Sequence, residues 1–425
     1  MKTSFIKNII VKNIYKIAKS IKSILFPLSL PSPEDLFPNT EKLYPIHPET
    51  VATPEVKQMH LARCLDAIHS DHYTVPPIHT VHLSKVIYAP RYGRIYTESG
   101  KPINTRINKA IHLYSFKSNK ILDFITKANI DFTDTSHFVS RTEISQSKKI
   151  PGVCSTIMLI GRLENNQPGK GTLNHYHTLI DRVPRLYLLN QPAYENIDEI
   201  KLLYPIEPST KERFFIERLA PKNVKISVVE NLDSIYLIDK LIYPTLMSNQ
   251  DCGYLPSAYV EYFRDKVLPK RESKKVNRIF ISRSKAKKRK IINEDELFEA
   301  LKPYGFKKYF LEDMPLESEI ELFYDADYVV GSFGAGLTNI IFADQTKVLE
   351  IFPNHYAYTH YYYLSKSLKH TYGYYHGIEE KHSVATREEM TGNVDFQVDV
   401  RVNVSEVIER LLELENQHQL RCSLG

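Results

Sequence analysis

The chain of 425 residues contains no tryptophan, and its four cysteines are scattered. Without an indole, stacking on a ligand ring falls to other aromatics, of which tyrosine, at 28, is the commonest. Cys64, Cys154, Cys252 and Cys422 stand in neither CxxC nor metal-ligand spacing. A disulfide scaffold and a thiolate metal site are therefore set aside, and reduced thiols in a cytosolic setting are expected. No uninterrupted apolar run approaches the ~20 residues needed to cross a bilayer. No apolar core followed by a small-residue cleavage site marks a secretory signal. There is no internal repeat and no low-complexity tract. What is present is 42% hydrophobic and 25% charged, the balance of a soluble globular chain long enough for two domains. The net charge of +6 suits an anionic partner, such as a nucleotide, a polyanionic glycan or a membrane surface, without choosing among them.

The first 30 residues place Ile6, Ile10, Ile14, Ile17, Ile21 and Ile24 on one helical stripe, with Lys12, Lys16 and Lys19 opposite. This pattern predicts a basic amphipathic helix. Such a helix can lie on an anionic leaflet as a peripheral anchor, or pack on its own domain or a partner chain; the pattern leaves both open. Six prolines between Pro31 and Pro54 predict an extended linker. One short helix is expected over 57–72, then a β-meander with turns at Ala89-Pro90 and Gly100-Lys101-Pro102.

From Asn277 to Pro353 the chain alternates short apolar runs (RIFIS, KKYFLE, YVVGS, KVLEIF) with stretches whose apolar residues recur at helical spacing, such as Leu297 with Leu301 and Ile320 with Phe323. That alternation predicts consecutive βαβ units on a parallel sheet. Within it, Gly331, Gly334 and Gly336 lie where a strand ends and a helix begins. Glycines there let backbone N–H groups come close to a phosphate, and a helix start adds positive character. The pattern is neither GxGxxG nor a P-loop, so a plain strand-to-helix turn remains the alternative.

A second informative stretch runs from Asn174 to Tyr187. At ~100° per residue, Asn174, His177, Asp181 and Arg185 share one arc, while Leu179, Ile180, Val183 and Leu186 cover the opposite side. One helix is expected to bury the apolar face and present an amide, an imidazole, a carboxylate and a guanidinium along a stripe. Pro184 would kink that helix or start a second one. A carboxylate four residues after a histidine can hold it in one tautomer, as a general base for an alcohol requires; an ordinary solvated pair is the alternative. His175 and His177, two positions apart on a helix, point in different directions and make no metal site.

Taken together, N-x-x-H-x-x-x-D-x-x-P-R-L after an apolar run and a glycine loop (Gly161 to Gly171), then ISR-x₅-R-x₃-NE, then AD-x-VVG-x-x-GAGLTN-x-x-FA and VLEIFP, resemble glycosyltransferase family 61, whose bacterial members are described as capsular-polysaccharide biosynthesis proteins. The resemblance covers roughly residues 80 to 415. It implies an α/β, GT-B-like fold: two Rossmann-like domains facing a central cleft, preceded here by the N-terminal amphipathic helix. Four segments follow: 1–56, helix and linker; 57–270, the acceptor-side domain; 271–390, the donor domain; 391–425, a C-terminal segment crossing back to the first domain. The implied reaction is inverting transfer of a sugar from a nucleotide-activated donor to a glycan or lipid-linked glycan, with no cofactor and no obligatory metal.

Residue by residue, the resemblance gives His177 the position of the family's characteristic histidine and Asp181 its acidic position; the mechanism these residues allow makes His177 the base and Asp181 the group that orients it. Asn174 and Arg185 fall on the acceptor side. Arg283, Arg289, Asn293, Glu294, Gly334, Ala335, Gly336, Leu337, Thr338 and Asn339 fall on the donor side, with Glu350 placed to accept hydrogen bonds from ribose hydroxyls or to serve structurally. The family histidine is often followed by tryptophan; Thr178 stands there in this chain. The DxD at Asp325-Ala326-Asp327 is not expected to hold a metal, nor is the basic run from Lys285 to Lys290 expected to bind nucleic acid. The tyrosine-rich residues 355–377 predict a helix and a final strand, and Asn403 with Glu406 predicts a capping box for a last helix. A non-catalytic nucleotide or glycan binder, or an epimerase acting on sugar nucleotides, would fit the same fold.

Overall fold

The structure is a computed structural model that describes residues 43–46, 50–52, 72–75, 78–96, 98, 141–158, 174–247, 252–353, 359–380 and 398–424. The amphipathic helix of residues 1–30, most of the linker, the short helix before residue 72 and the glycine loop from Gly161 to Gly171 lie outside the described residues.

The described chain is α/β, as expected, and built on two parallel-rich sheets. The first orders its strands β1 (Leu43–Ile46), β4 (Ile78–Ala89), β9 (Tyr236–Pro244), β6 (Lys148–Ser155), β7 (Ile200–Tyr204) and β8 (Val224–Val228), with β5 (Arg94–Tyr96) also on β4. Strands β9, β6, β7 and β8 run parallel to one another, whereas β4 is antiparallel to β1, β5 and β9. Of the expected meander the described residues show the β4–β5 hairpin, turned by Pro90–Tyr92 and by Gly93 in the left-handed region; the turn at Gly100-Lys101-Pro102 lies outside the described residues. A separate antiparallel pair joins β2 (Thr50–Ala52) and β3 (His72–Thr74).

The second sheet orders β11 (Phe306–Tyr309), β10 (Asn277–Ile281), β12 (Ala326–Ser332), β13 (Lys347–Pro353), β14 (Thr371–Glu380) and β15 (Asp399–Arg401). All pairs are parallel except β14 with β15. Every residue of β13 and all but one of β12 are buried, which is why these strands read as unbroken apolar runs: a parallel strand covered on both faces has no polar side. The tyrosine-rich stretch forms a helix and β14, but β14 is not the last strand, since β15 closes the edge.

From β10 the chain moves one way to β11, then returns across β10 to β12 on the other side. The crossover connections leaving β10 and β12 therefore diverge, and the crevice between them at the carboxyl ends is a topological switch point. The Arg283–Arg289 loop follows β10 and the glycine turn follows β12, so the sheet order alone brings them side by side.

The halves share one hydrophobic core. Helix α1 (Thr210–Leu219) supplies Phe215, helix α2 (Ser257–Val267) supplies Phe263, and the tight helix Ala335–Phe342 of the second half supplies Phe342. The Phe342 ring stacks on Phe215 at 6.1 Å and on Phe263 at 6.0 Å. Burying each such side chain stabilises the join by roughly 1.5–3 kcal/mol.

On the far face of the second sheet lie helix α3 (Glu294–Leu301) and the C-terminal helix α6 (Val404–Leu424), after α4 (Leu316–Tyr324) and α5 (His360–Ser367) in chain order. Asn403 Oδ1 accepts the Ser405 N–H at 3.1 Å, so Asn403 caps the helix as expected. The reciprocal half of the box is not made: the Asn403 N–H donates to the Tyr375 hydroxyl at 3.2 Å, and Glu406 accepts from the Asn403 side-chain amide at 3.0 Å instead. Val407, Leu411 and Leu414 then pack with Phe280, Leu349 and Ile351 of the second sheet. The terminal helix was expected to cross back to the first half; its apolar stripe instead finds its cover on its own sheet.

Candidate functional site

The histidine segment departs from the single helix that its spacing predicts. Residues His177–Arg182 form a π-helical turn, closed by the Val183 N–H on the Thr178 carbonyl, and Val183–Leu189 continue as a tighter 3₁₀ helix. Pro184 accounts for the change, because its ring would collide with the Ile180 carbonyl of a regular helix and it has no N–H to offer. The wider turn moves that carbonyl away. It also buries what the regular spacing would have left as a polar stripe.

His177 Nδ1 lies 2.6 Å from Asp181 Oδ2, with the Asp181 side chain sealed and the His177 side chain about 10% exposed. A carboxylate can only accept, so Nδ1 donates, which in the neutral form of the ring leaves the lone pair on Nε2. Arg185 is a correction. Its guanidinium is turned inward, donating to the Pro244 carbonyl at 2.6 and 2.8 Å, to that of Thr156 at 3.3 Å and to that of Met158 at 3.4 Å, over the Tyr243 ring. It ties the carboxyl ends of β6 and β9 together and offers nothing to an acceptor. The neighbouring Arg182 is equally enclosed, paired with Glu212 at 2.6 Å, whose carboxylate also accepts from the Tyr204 hydroxyl. Asn174 is exposed at the segment's start, where its Oδ1 accepts the Tyr176 N–H at 3.0 Å.

Across from this segment is the turn after β12. Tyr176 makes edge contacts with the His177 ring at 5.3 Å and with the Tyr361 ring at 6.0 Å, and the Tyr361 hydroxyl donates to the Gly334 carbonyl at 2.7 Å. Two aromatic side chains, Tyr176 and Tyr361, thus link the imidazole to the glycine turn.

Arg283 leaves the end of β10 with its Nε donating to the Arg289 carbonyl at 3.2 Å and Nη2 to the Lys288 carbonyl at 3.1 Å. Its third nitrogen, Nη1, occupies the space a β-carbon on residue 334 would need, so any larger residue there would displace the guanidinium. Two of the five guanidinium N–H groups are engaged, leaving three at the turn. Arg289 stands in the left-handed region at φ 60°, a conformation that costs a non-glycine residue about 1 kcal/mol or more. That conformation points its carbonyl at Arg283 and at the Ser332 hydroxyl, which donates to it at 3.1 Å. Its own guanidinium lies over the Phe333 ring at 5.2 Å, with Nε buried and without a hydrogen-bond partner.

Among the described residues no carboxylate pairs with either arginine. Burial, and then the charge of Arg289, lower the proton affinity of Arg283 from its usual value. Two cations are therefore held together at a cost that an anion between them would remove. The N–H groups of Ala335 and Gly336, at the start of the helix that follows, have no earlier turn of that helix to bond to and add to the same positive pole.

Other residues expected on the donor side have different tasks. Asn293 grips the Val402 backbone, donating at 2.9 Å and accepting at 3.0 Å. Glu294 is buried; it accepts from the Ser282 hydroxyl at 2.6 Å and the Arg283 N–H at 3.0 Å, so it sets the bend that aims Arg283. Gly336 lets the helix start lie against Leu311 and Ile281, Leu337 is core, and Thr338 is buried beside the Tyr361 hydroxyl. Ala335 is half-buried at the turn. Glu350 is not at a strand end: it sits in mid-β13, fully buried, with one oxygen accepting from Tyr372 at 2.7 Å and the other without a partner. Burial raises its pKa well above that of an ordinary carboxylate, and the same enclosure keeps a ribose from reaching it.

The DxD carboxylates lie at the opposite end of β12. Asp325 is held by both Arg271 amino groups, at 2.7 and 2.9 Å, and Asp327 by Arg278 at 2.9 Å and Lys347 at 2.8 Å. Among the described residues no group of three or more His, Cys, Asp or Glu side chains could hold a metal ion. No described helix is long and apolar enough to cross a membrane.

Sequence reasoning missed a chain of hydrogen bonds between the halves. His175 Nε2 lies 2.6 Å from Asn339 Oδ1, the Asn339 amide donates to Glu319 at 2.8 Å, and Glu319 pairs with Lys211. Asn339 is thus occupied within the protein, and only its place in the GAGLTN run suggested otherwise.

Compared with known families, residues 175–349 match the family model described as Glycosyltransferase 61. No curated protein matches the chain. The matched region opens at His175 and closes on β13, so it contains the π-turn, the arginine pair and the glycine turn.

Proposed function

Starting from a region that belongs to glycosyltransferase family 61, we propose that the chain is an inverting glycosyltransferase that uses a nucleoside-diphosphate sugar. Its two halves would work in a GT-B-like manner, and its acceptor would be a hydroxyl of a glycan or lipid-linked glycan in surface-polysaccharide assembly. The reading rests on one observation above all: Arg283 and Arg289 stand together, with no carboxylate paired to either among the described residues, at the switch point of a parallel sheet.

In the reaction the acceptor oxygen attacks the anomeric carbon from the face opposite the diphosphate. The bond from that carbon to the diphosphate oxygen breaks, and the acceptor proton passes to His177 Nε2 while Asp181 holds Nδ1. The charge that grows on the leaving diphosphate meets the arginine pair and the amides at Ala335 and Gly336, a preorganised arrangement that needs no movement at the moment of reaction. Because the DxD carboxylates are already held by Arg271, Arg278 and Lys347, this account assigns them no metal. A position on the cytosolic face of a membrane, reached through residues 1–30, belongs to the same proposal.

The shallow exposure of His177 is the one observation that favours a non-catalytic binder on this fold. Release of nucleoside diphosphate from a panel of UDP-, GDP- and dTDP-sugars, with and without a glycan extract as acceptor, separates the readings. Acceptor-dependent release that disappears in His177→Ala supports transfer. Binding without release in the native chain supports the binder, and acceptor-independent conversion of the sugar supports an epimerase.

A further inference from the structure

Four side chains from four elements form a chain that joins the halves: Lys211 on α1, Glu319 on α4, Asn339 on the Ala335–Phe342 helix and His175 at the start of the π-turn. Their chemistry fixes the direction of every bond. Glu319, paired with Lys211, can only accept, so the Asn339 amide nitrogen faces it and the Asn339 oxygen faces His175. His175 must then donate from Nε2, in its neutral form. Burial lowers the pKa of His175, so that form prevails at neutral pH. Asn339 and Glu319 are almost fully buried, which leaves no water to replace a lost partner.

We propose that His175 is a positioning residue: through Asn339 it holds the first turn of the His177 segment against the helix that opens at the glycine turn, and so sets where the imidazole stands relative to the bound diphosphate. The role rests on the proposed function for its consequence but not for its geometry. His175 is two residues from His177, and Asn339 is five from Gly334, so a single bond of 2.6 Å spans the two parts of the site. Without it the Asn339 oxygen is buried and unsatisfied, and the segment start is free to shift. A displacement of about 1 Å at a reacting group can cost ~10²-fold in rate.

The test compares the native chain with His175→Ala, His175→Phe and His175→Gln, in full length. Two variants lack a donor, so misfolding of one leaves the other; the glutamine amide can still donate to Asn339. The first readout needs no ligand: the rate at which diethyl pyrocarbonate modifies His177, measured by mass spectrometry, with the fully buried His370 as a gauge of general loosening. Modification of His177 is expected to rise severalfold in the donor-less variants while His370 stays unchanged, and to return toward the native rate in His175→Gln.

The second readout is affinity for UDP, GDP and dTDP together with turnover of the corresponding sugar nucleotides. Affinity is expected to hold while kcat falls about 10²-fold without the donor and recovers with glutamine. Native His177 reactivity in both donor-less variants, equal loss at His370, or failure of glutamine to rescue would overturn the positioning role. If the native chain turns over no sugar nucleotide, the proposed function fails, and the pyrocarbonate result still decides the role of His175.

Discussion

The two sides of the site treat charge in opposite ways. In the first half each ion has an internal partner: His177 with Asp181, Arg182 with Glu212, and Arg185 with three backbone carbonyls. In the second half Arg283 and Arg289 are oriented by carbonyls and by a phenyl ring, and among the described residues no carboxylate pairs with either; Glu312 and Asp399 act on Arg283 only from a distance. Balanced charges hold a shape, whereas unbalanced ones ask for a ligand. On the proposed function, this difference places the anion in the second half and leaves the first half to present one imidazole.

The largest expected effect comes from breaking the first half where it faces the second. His177→Ala should lower turnover by ~10²–10⁴-fold while nucleoside-diphosphate affinity holds, since a general base acts on the acceptor and not on the donor. Comparable loss of both, seen by kinetics and calorimetry, would mean that the halves are not separate in function. Next is Arg185→Met, which leaves buried carbonyls without a donor. It should cost about 2–4 kcal/mol in urea unfolding. A variant as stable as the native chain would contradict the structural role given to this guanidinium.

A smaller change sharpens the second half alone. In Gly334→Ala the new β-carbon meets the tip of Arg283, a side chain that can swing aside, so the fold should survive. Diphosphate affinity should fall about tenfold, the worth of one charge-assisted hydrogen bond. Unchanged affinity would remove Arg283 from the site.

The smallest effect concerns acid. His370 accepts the Thr346 N–H at 3.2 Å on Nδ1 and donates from Nε2 to the Ile340 carbonyl at 3.0 Å, so it closes the end of the glycine-turn helix only while neutral. Burial pushes its pKa down to about 4, against 6.5 for an ordinary histidine. Between these values the unfolded chain binds the proton and the folded chain does not. Stability therefore falls as pH is lowered through this window, by at most about 1.4 kcal/mol per pH unit for this group. His370→Asn should flatten that part of the urea-midpoint profile, and an unaltered slope would exclude His370 as its source.

The second sheet was legible because buried parallel strands leave continuous apolar runs and their turns fall at strand ends. The Arg283 and Gly334 positions came with it. Less legible was anything decided by a partner distant in sequence. Asn293 and Glu294 look like ligand contacts until Val402 and Ser282 claim them. Glu350 could have been placed by alternation, since it shares a face with Val348 and Phe352, which pack in the core between the halves. The π-turn hides behind an ordinary helical spacing, and only Pro184 signals it. His175 gave no sign, because its partner lies 164 residues away.

Calorimetry of UDP, GDP and dTDP with the native chain, Arg283→Ala and Arg289→Ala, at low and high salt, tests the central claim most directly. The account predicts that at least one nucleotide binds the native chain, that each substitution weakens it by about tenfold or more, and that salt weakens the native complex more than either variant's. Equal affinity in all three proteins would contradict it.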